Sequence, residues 1–141
     1  SDLDTVASGG GFQTLFAAIQ AAGLVNTLKG SGPFTLFAPT DEAFARLPAS
    51  ISSQLLSSEN RQQLRTILNY HVVPGRFTVK DVMYLYGAIT AQGQRVLVRH
   101  NQQRVTVDNA SIVQGDIPAS NGLIHVIDHV ILPKKPVLSD R

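Results

Sequence analysis

The sequence predicts an α+β fold, and three observations carry that expectation. An amphipathic helical stripe lies near the N-terminal side. Two apolar segments, Gly32 to Pro48 and Asn121 to Pro133, each run a β-branched or aromatic strand into a boundary marked by proline or an acid. Helical patterns come first and strand patterns later, with no βαβ alternation.

The elements follow in order. Phe12, Leu15, Phe16 and Ile19 recur at i, i+3, i+4 and i+7, the stripe of a helix packed on a core, and Gly23 ends it. Leu24 to Lys29 makes a short second turn closed by Gly30. Phe34 to Ala38 is short, aromatic-rich and flanked by Gly-Pro and Pro, which reads as a buried strand. Thr40 suits the N-cap of the next helix, with Asp41 and Glu42 in its positively polarised first turn. Pro39 and Phe44 are spaced as a hydrophobic staple, and Pro48 ends the element. Losing such a cap costs about 1 kcal/mol, so Thr40 and Asp41 are read as structural.

Ser57-Ser58-Glu59 starts another helix, whose core stripe is Leu64, Ile67, Leu68 and His71; Val72-Val73-Pro74-Gly75 stops it. A short strand around Arg76 to Thr78 and a helical turn from Lys80 to Leu85 follow. The remainder is β: around Ala88 to Ala91, Arg95 to His100, Arg104 to Val107, Ile112 to Gln114 and Leu123 to Leu132. Asn101-Gln102-Gln103 makes a hairpin tip. No repeat or linker divides the chain, so one domain is expected over 1–141, with its core at about 5–133 and a mobile tail from 134.

Composition bounds the function. A chain of 141 residues buries roughly 70% of its unfolded surface, enough for a self-sufficient core. Hydrophobic residues make 43% of it and charged ones 16%, the balance of a globular domain. No run reaches about 18 apolar residues, so no transmembrane helix is expected. The opening SDLDTVASGGG lacks a basic-then-apolar leader, so an exported protein would be represented by its mature or trimmed chain. The absence of cysteine excludes disulfides, cysteine–zinc sites and thiol catalysis. A formal charge of +2 gives no ground for a nucleic-acid partner. Its distribution is uneven: Val82 to Val107 contains no acid, yet Arg95, Arg99 and Arg104 all fall there. They form either a solvated hairpin face or a weak site for an anionic glycan or surface.

Histidine is the residue type suited to acid–base or metal chemistry at neutral pH. His125 and His129 would pair on a helix, but the β-branched run around them predicts a strand. Four strand residues at about 3.3 Å each separate them by roughly 13 Å, too far for a single zinc. Asp128 and His129 are strand neighbours that point to opposite faces. There is no Gly-x-Ser-x-Gly elbow, and the glycines match neither a phosphate loop nor a dinucleotide fingerprint. His71, on the core side of its helix, reads as a buried imidazole bonded to backbone or as part of a contact surface. Tyr70, one position off the stripe, is expected to turn its ring and hydroxyl outward.

Five segments in order resemble the fasciclin-type (FAS1) domain over about Thr5 to Pro133. They are Ala22-Gly23-Leu24, the box Gly32 to Phe44, Tyr70-His71, Asp116-Ile117, and the box Asn121 to Asp128 continued by Val130 to Pro133. The resemblance implies a compact β-wedge or sandwich of about seven strands with helices along one edge. It implies secretion, periplasmic location or cell-surface display, and a role in adhesion. In animal members the Tyr-His and Asp-Ile motifs are associated with integrin binding, which makes Tyr70, His71, Asp116 and Ile117 the partner-binding candidates. A lone, cysteine-free domain points to a prokaryotic single-domain member. The expected function is thus a non-catalytic adhesion module for a cell-surface or matrix protein or glycan, with no cofactor and no metal. Two alternatives stand beside it. One is a small-molecule carrier or enzyme with a pocket between helices and sheet, suggested by Phe12, Phe16, Phe34, Phe37 and Phe44. The other is a scaffold whose motif residues serve folding only.

Overall fold

A computed structural model describes residues 11–30, 32–47, 61–119 and 121–133. Helices α1 (Gln13–Ala22) and α2 (Val25–Lys29) lead into β1 (Phe34–Pro39) and α3 (Asp41–Ala45). Next come α4 (Arg61–Asn69), β2 (Val72–Pro74), α5 (Val79–Leu85) and β3 (Gly87–Ile89), then β4 (Arg95–His100), β5 (Val105–Val107), β6 (Ala110–Ala119) and β7 (Gly122–Ile127). The seven strands form one mixed sheet in the order β2-β1-β7-β6-β5-β4-β3. This is the expected α+β architecture.

The caps explain where the helices begin and end. Gly23 takes the left-handed conformation that closes α1, and its N–H reaches back to the last turn. Thr40 Oγ1 accepts the Ala43 N–H at 3.1 Å and caps α3, while Asp41 Oδ1 accepts the Thr14 N–H in the first turn of α1 at 2.8 Å. Both residues are structural, as their positions imply. Thr78 and Asp81 form a reciprocal capping box on α5.

At the centre, β1 runs parallel to β7, pairing Phe34 with Gly122 through to Pro39 with Ile127. This pair is buried on both faces, which is why both segments are apolar without a polar alternation. Their side chains divide between two cores. Leu36, Ala38, Ile124 and Val126 face Leu15, Ile19, Leu64 and Leu68 of the helical layer. Phe37 and Ile127 face Tyr70, Val73, Val96 and Val107 on the other side. The sheet curls around that second core, so the Ala91 N–H just past β3 donates to the Val72 carbonyl of β2 at 2.7 Å.

Several boundaries differ from the sequence expectation. The strand expected at 76–78 lies instead at Val72–Pro74, antiparallel to Leu36–Phe34. Residues 76–78 are irregular because Thr35 Oγ1 accepts the Phe77 N–H at 2.9 Å and donates to the Gly75 carbonyl at 2.7 Å. The strand expected at 112–114 is the middle of the longer β6, which bends through two register shifts. β7 stops at Ile127, not Leu132, where the Asp128 carboxylate accepts the Ser111 N–H at 2.7 Å and turns the chain out of the ladder. The expected helix start at Ser57-Ser58-Glu59, the stop at Pro48 and the tail from 134 lie outside the described residues.

Candidate functional site

Tyr70 corrects the sequence reading most sharply. Its ring is completely buried, not turned outward. Helix α4 ends at Asn69, and the following turn drops Tyr70 into the second core. The hydroxyl donates to Asp108 Oδ2 at 2.5 Å. Asp108 in turn accepts the Leu97 N–H at 2.9 Å through Oδ1, and its own N–H donates to the Leu97 carbonyl at 2.8 Å. Burial, reinforced by the adjacent Asp108 carboxylate, raises the Tyr70 pKa, so the phenol remains a neutral donor. One buried side chain thereby fixes the turn before β6 and the middle of β4.

His71 is buried beside it. Nδ1 lies 2.9 Å from the Ile67 carbonyl, and Nε2 accepts the Ile131 N–H at 3.1 Å. These partners assign the proton to Nδ1 and leave the ring neutral. Burial pulls its pKa down to about 4, against the smaller opposing effects of the Ile67 carbonyl and Asp108. The imidazole therefore locks the end of α4 to the segment after β7.

The Asp-Ile pair occupies the bend of β6. Asp116 sits at φ 59, a left-handed conformation that aspartate tolerates. Its N–H donates to His125 Nδ1 at 3.0 Å, and its carboxylate accepts the Val79 N–H at 2.9 Å, capping α5. The other nitrogen of His125 donates to the Phe77 carbonyl at 2.8 Å. Burial lowers the His125 pKa, and this opposes both the Phe77 carbonyl and the nearby Asp116. Ile117 is half-buried and packs against the helical core.

His125 and His129 do not converge. His129 instead contacts its neighbour Asp128 at 2.9 Å, with Arg46 4.0 Å from the same carboxylate. Burial would raise the Asp128 pKa, but the Ser111 N–H, His129 and Arg46 hold it below the ordinary carboxylate value. Among the described residues, no group of three or more His, Asp or Glu is arranged to hold a metal ion. Four of the five phenylalanines that suggested a ligand pocket belong to the cores: Phe37 and Phe44 are buried, and Phe12 and Phe34 pack against the helical cluster, while Phe16 is half-buried.

Arg95, Arg99 and Arg104 are exposed, and the alternation of β4 sets Arg95 and Arg99 on one face. Arg95 donates to the Leu85 carbonyl at 2.5 Å, and Arg104 Nη1 reaches Ser111 Oγ at 3.5 Å. Tyr70 and His71 thus lie inside, Ile117 is half-buried, and the Asp116 side chain and the arginines are exposed; the fold does not gather them into one site.

Sequence reasoning missed the surface beside those arginines. Tyr84, at the end of α5, is 84% exposed and Tyr86 64%. The Tyr86 ring lies nearly parallel to that of His100, with centroids 6.5 Å apart. Together with Lys80 and Met83 these residues line an open hollow of about 610 Å³. The available signal was the Tyr-Leu-Tyr-Gly run: two aromatics beside a helix stop, where the backbone turns left-handed and the stripe no longer directs side chains inward.

Residues 10–133 match the family model described as the Fasciclin domain. The chain is 48% identical to protein sll1483 of Synechocystis sp. over 122 residues, covering 86% of this chain and 67% of that protein. It is 37% identical over 131 residues to the transforming growth factor-beta-induced protein ig-h3 of Sus scrofa, covering 93% of this chain and 19% of that one. A solved structure of a FAS1 domain pair from the insect cell adhesion molecule fasciclin I superposes with a TM-score of 0.85 at 18% identity. That match covers 96% of this chain and 52% of the pair, and at this identity it speaks for the fold.

Proposed function

Because the chain belongs to the fasciclin domain family, we propose that it is a non-catalytic adhesion module, working outside the cell or at its surface and binding a protein or glycan partner. The observation that carries this reading is how the ionisable core is engaged. Both nitrogens of His71 and both of His125 contact main-chain groups, and burial keeps the two rings neutral. Neither imidazole is free to exchange a proton with a substrate. What the domain offers a partner is its surface, and the solved relative that shares this fold is part of an insect cell adhesion molecule. No helix among the described residues is long and apolar enough to cross a membrane.

In this reading Tyr70, His71, Asp116 and Ile117 contribute by positioning. Tyr70 holds β4 through Asp108, and Asp116 holds the start of α5. The groups meeting the partner directly are on the outer face, with Arg95, Arg99 and Arg104 as anionic-surface contacts. A cell-attachment assay on the immobilised chain tests this. The wild type should retain more cells than an unrelated folded basic domain, and replacing the three arginines by alanine should reduce that excess. Attachment no greater than the control would remove the reading.

A further inference from the structure

The exposed apolar residues are unevenly distributed. The large apolar side chains exposed among the described residues are Tyr84, Leu85, Tyr86, Ile89, Leu97, Val113 and Leu132, and the first five lie on one corner built from α5, β3 and β4. Scattered singly such residues need no explanation, but a contiguous set bordered by charge marks an interaction surface. The cations bordering it are Lys80 on α5 and Arg95 and Arg99 on β4, with the exposed acid Asp81 next to Lys80. The two acids nearest in sequence are hydrogen-bonded within the fold by neutral donors and keep their charge, so the three cations outnumber them. Asp81 accepts the Thr78 N–H in its capping box, and Asp108 accepts both the Leu97 N–H and the Tyr70 hydroxyl.

The corner is also concave. Beside the hollow under Tyr84 and Tyr86, a slot of about 290 Å³ opens between β2 and β3, and Val73, Pro74, Phe77, Leu85, Ala88 and Ile89 form most of its lining. These are the two outermost strands of the sheet order, and the Ala91–Val72 hydrogen bond joins the chain across that gap. The Arg95 guanidinium lies at the slot, tethered to the Leu85 carbonyl.

We propose that this corner docks a segment of a protein partner whose acidic side chains meet Lys80, Arg95 and Arg99 while a bulky apolar side chain enters the slot between β2 and β3. The chemistry discriminates among occupants. Leucine and isoleucine offer nothing to a polyhydroxylated glycan, whereas Tyr, Met and Arg together are the composition of protein interfaces. A flat bilayer cannot follow two concavities. A second copy of this chain would bring the same cations face to face, which is repulsive. This inference rests on the reading of the chain as a binding module and specifies its partner class.

The test is selection of a phage-displayed random peptide library on the immobilised chain, followed by titration of the synthetic winning peptide. Arg99→Glu and Tyr84→Ser alter exposed side chains, and circular dichroism confirms that both variants fold. The expected winners combine Asp or Glu with bulky apolar residues, and each variant should weaken their binding by at least about tenfold. The proposal is overturned if no sequence is enriched, if the winners are basic, or if they bind both variants as tightly as the wild type. It is equally overturned if the variants abolish pelleting with phosphatidylglycerol vesicles, or self-association in sedimentation velocity, and leave peptide binding intact. Cell attachment separates this claim from the broader one. Attachment that survives both variants rejects this corner but not adhesion; a variant-sensitive peptide without attachment rejects adhesion but not the corner.

Discussion

Acid should loosen this fold through His71. Nε2 of the neutral ring accepts the buried Ile131 N–H, and Nδ1 donates to the Ile67 carbonyl. Adding a proton at Nε2 sets two donors against each other in a site without water-like dielectric. The folded ring therefore protonates only near pH 4, against 6.5 for the unfolded chain. Between those values the unfolded state binds more protons than the folded one, so stability is complete above about pH 6.5 and declines as pH falls toward 4. At about pH 5 the unfolded imidazole is almost fully charged and the folded one almost wholly neutral, a difference of about 2 kcal/mol; the full shift is worth about 3. His125, whose pKa is also lowered by burial, acts in the same direction. Urea unfolding followed between pH 7 and pH 4.5 should show this loss, and His71→Gln should be less stable at neutral pH yet have a flatter slope. Nuclear magnetic resonance titration of the ring decides the cause. A His71 resonance that titrates near 6.5 in the folded protein would refute the reasoning even if stability fell.

Three further outcomes follow from single contacts. Tyr70→Phe keeps the buried ring but removes the donor to Asp108, which should cost about 1 kcal/mol and speed hydrogen exchange at the Leu97 amide. Gly122→Ala would drive a methyl group into the Phe34 carbonyl inside the parallel β1–β7 ladder, and a loss of more than about 3 kcal/mol by thermal unfolding is expected. Asp116→Asn should be nearly neutral, because asparagine accepts the Val79 N–H and tolerates the left-handed backbone; Asp116→Ala should lose about 1 kcal/mol from the cap and about as much again from the backbone. Equal melting temperatures for the Asn and Ala variants would contradict that account.

What was legible in the sequence was what local physics determines. Thr40, Gly23 and the Asn101 turn carry caps and turns in their own side chains or conformations, so those boundaries could be read directly. The β-branched run before Pro133 read as extended, and its first part, Gly122–Ile127, does lie parallel to the 34–39 strand. The failures concern non-local partners. Nothing near Arg76 announces that Thr35, 42 residues before Phe77's level in the fold, will hold that segment off the ladder. Nothing near Tyr70 announces Asp108, 38 positions away, which gives a buried phenol its acceptor. Helical phase pointed Tyr70 outward because it assumes a continuing helix, and α4 ends one residue earlier. The exposed corner was missed for the converse reason. Whether Tyr84, Leu85 and Ile89 are core or surface depends on how far the sheet closes, which no window of sequence records.

The inward direction of Tyr70 and His71 changes what family membership implies about partners. Tyr70 and His71 spend their polar atoms on backbone or buried groups that hold this fold together. Two domains can therefore share the Tyr-His motif and bind unrelated partners, since its side chains do not reach the solvent side where selection between partners occurs. Loss of binding on mutating Tyr70 or His71 would equally follow from a displaced β4 or a loosened α4, so such a loss identifies no contact surface. Discrimination must come from side chains that can change without cost to the fold. In this chain those include Tyr84, Tyr86 and Arg99, held in register from behind: Asp108 fixes the middle of β4, and Asp116 fixes the first turn of α5. A substitution at Asp108 and one at Arg99 should consequently be told apart by unfolding, the first lowering stability and binding together and the second lowering binding alone.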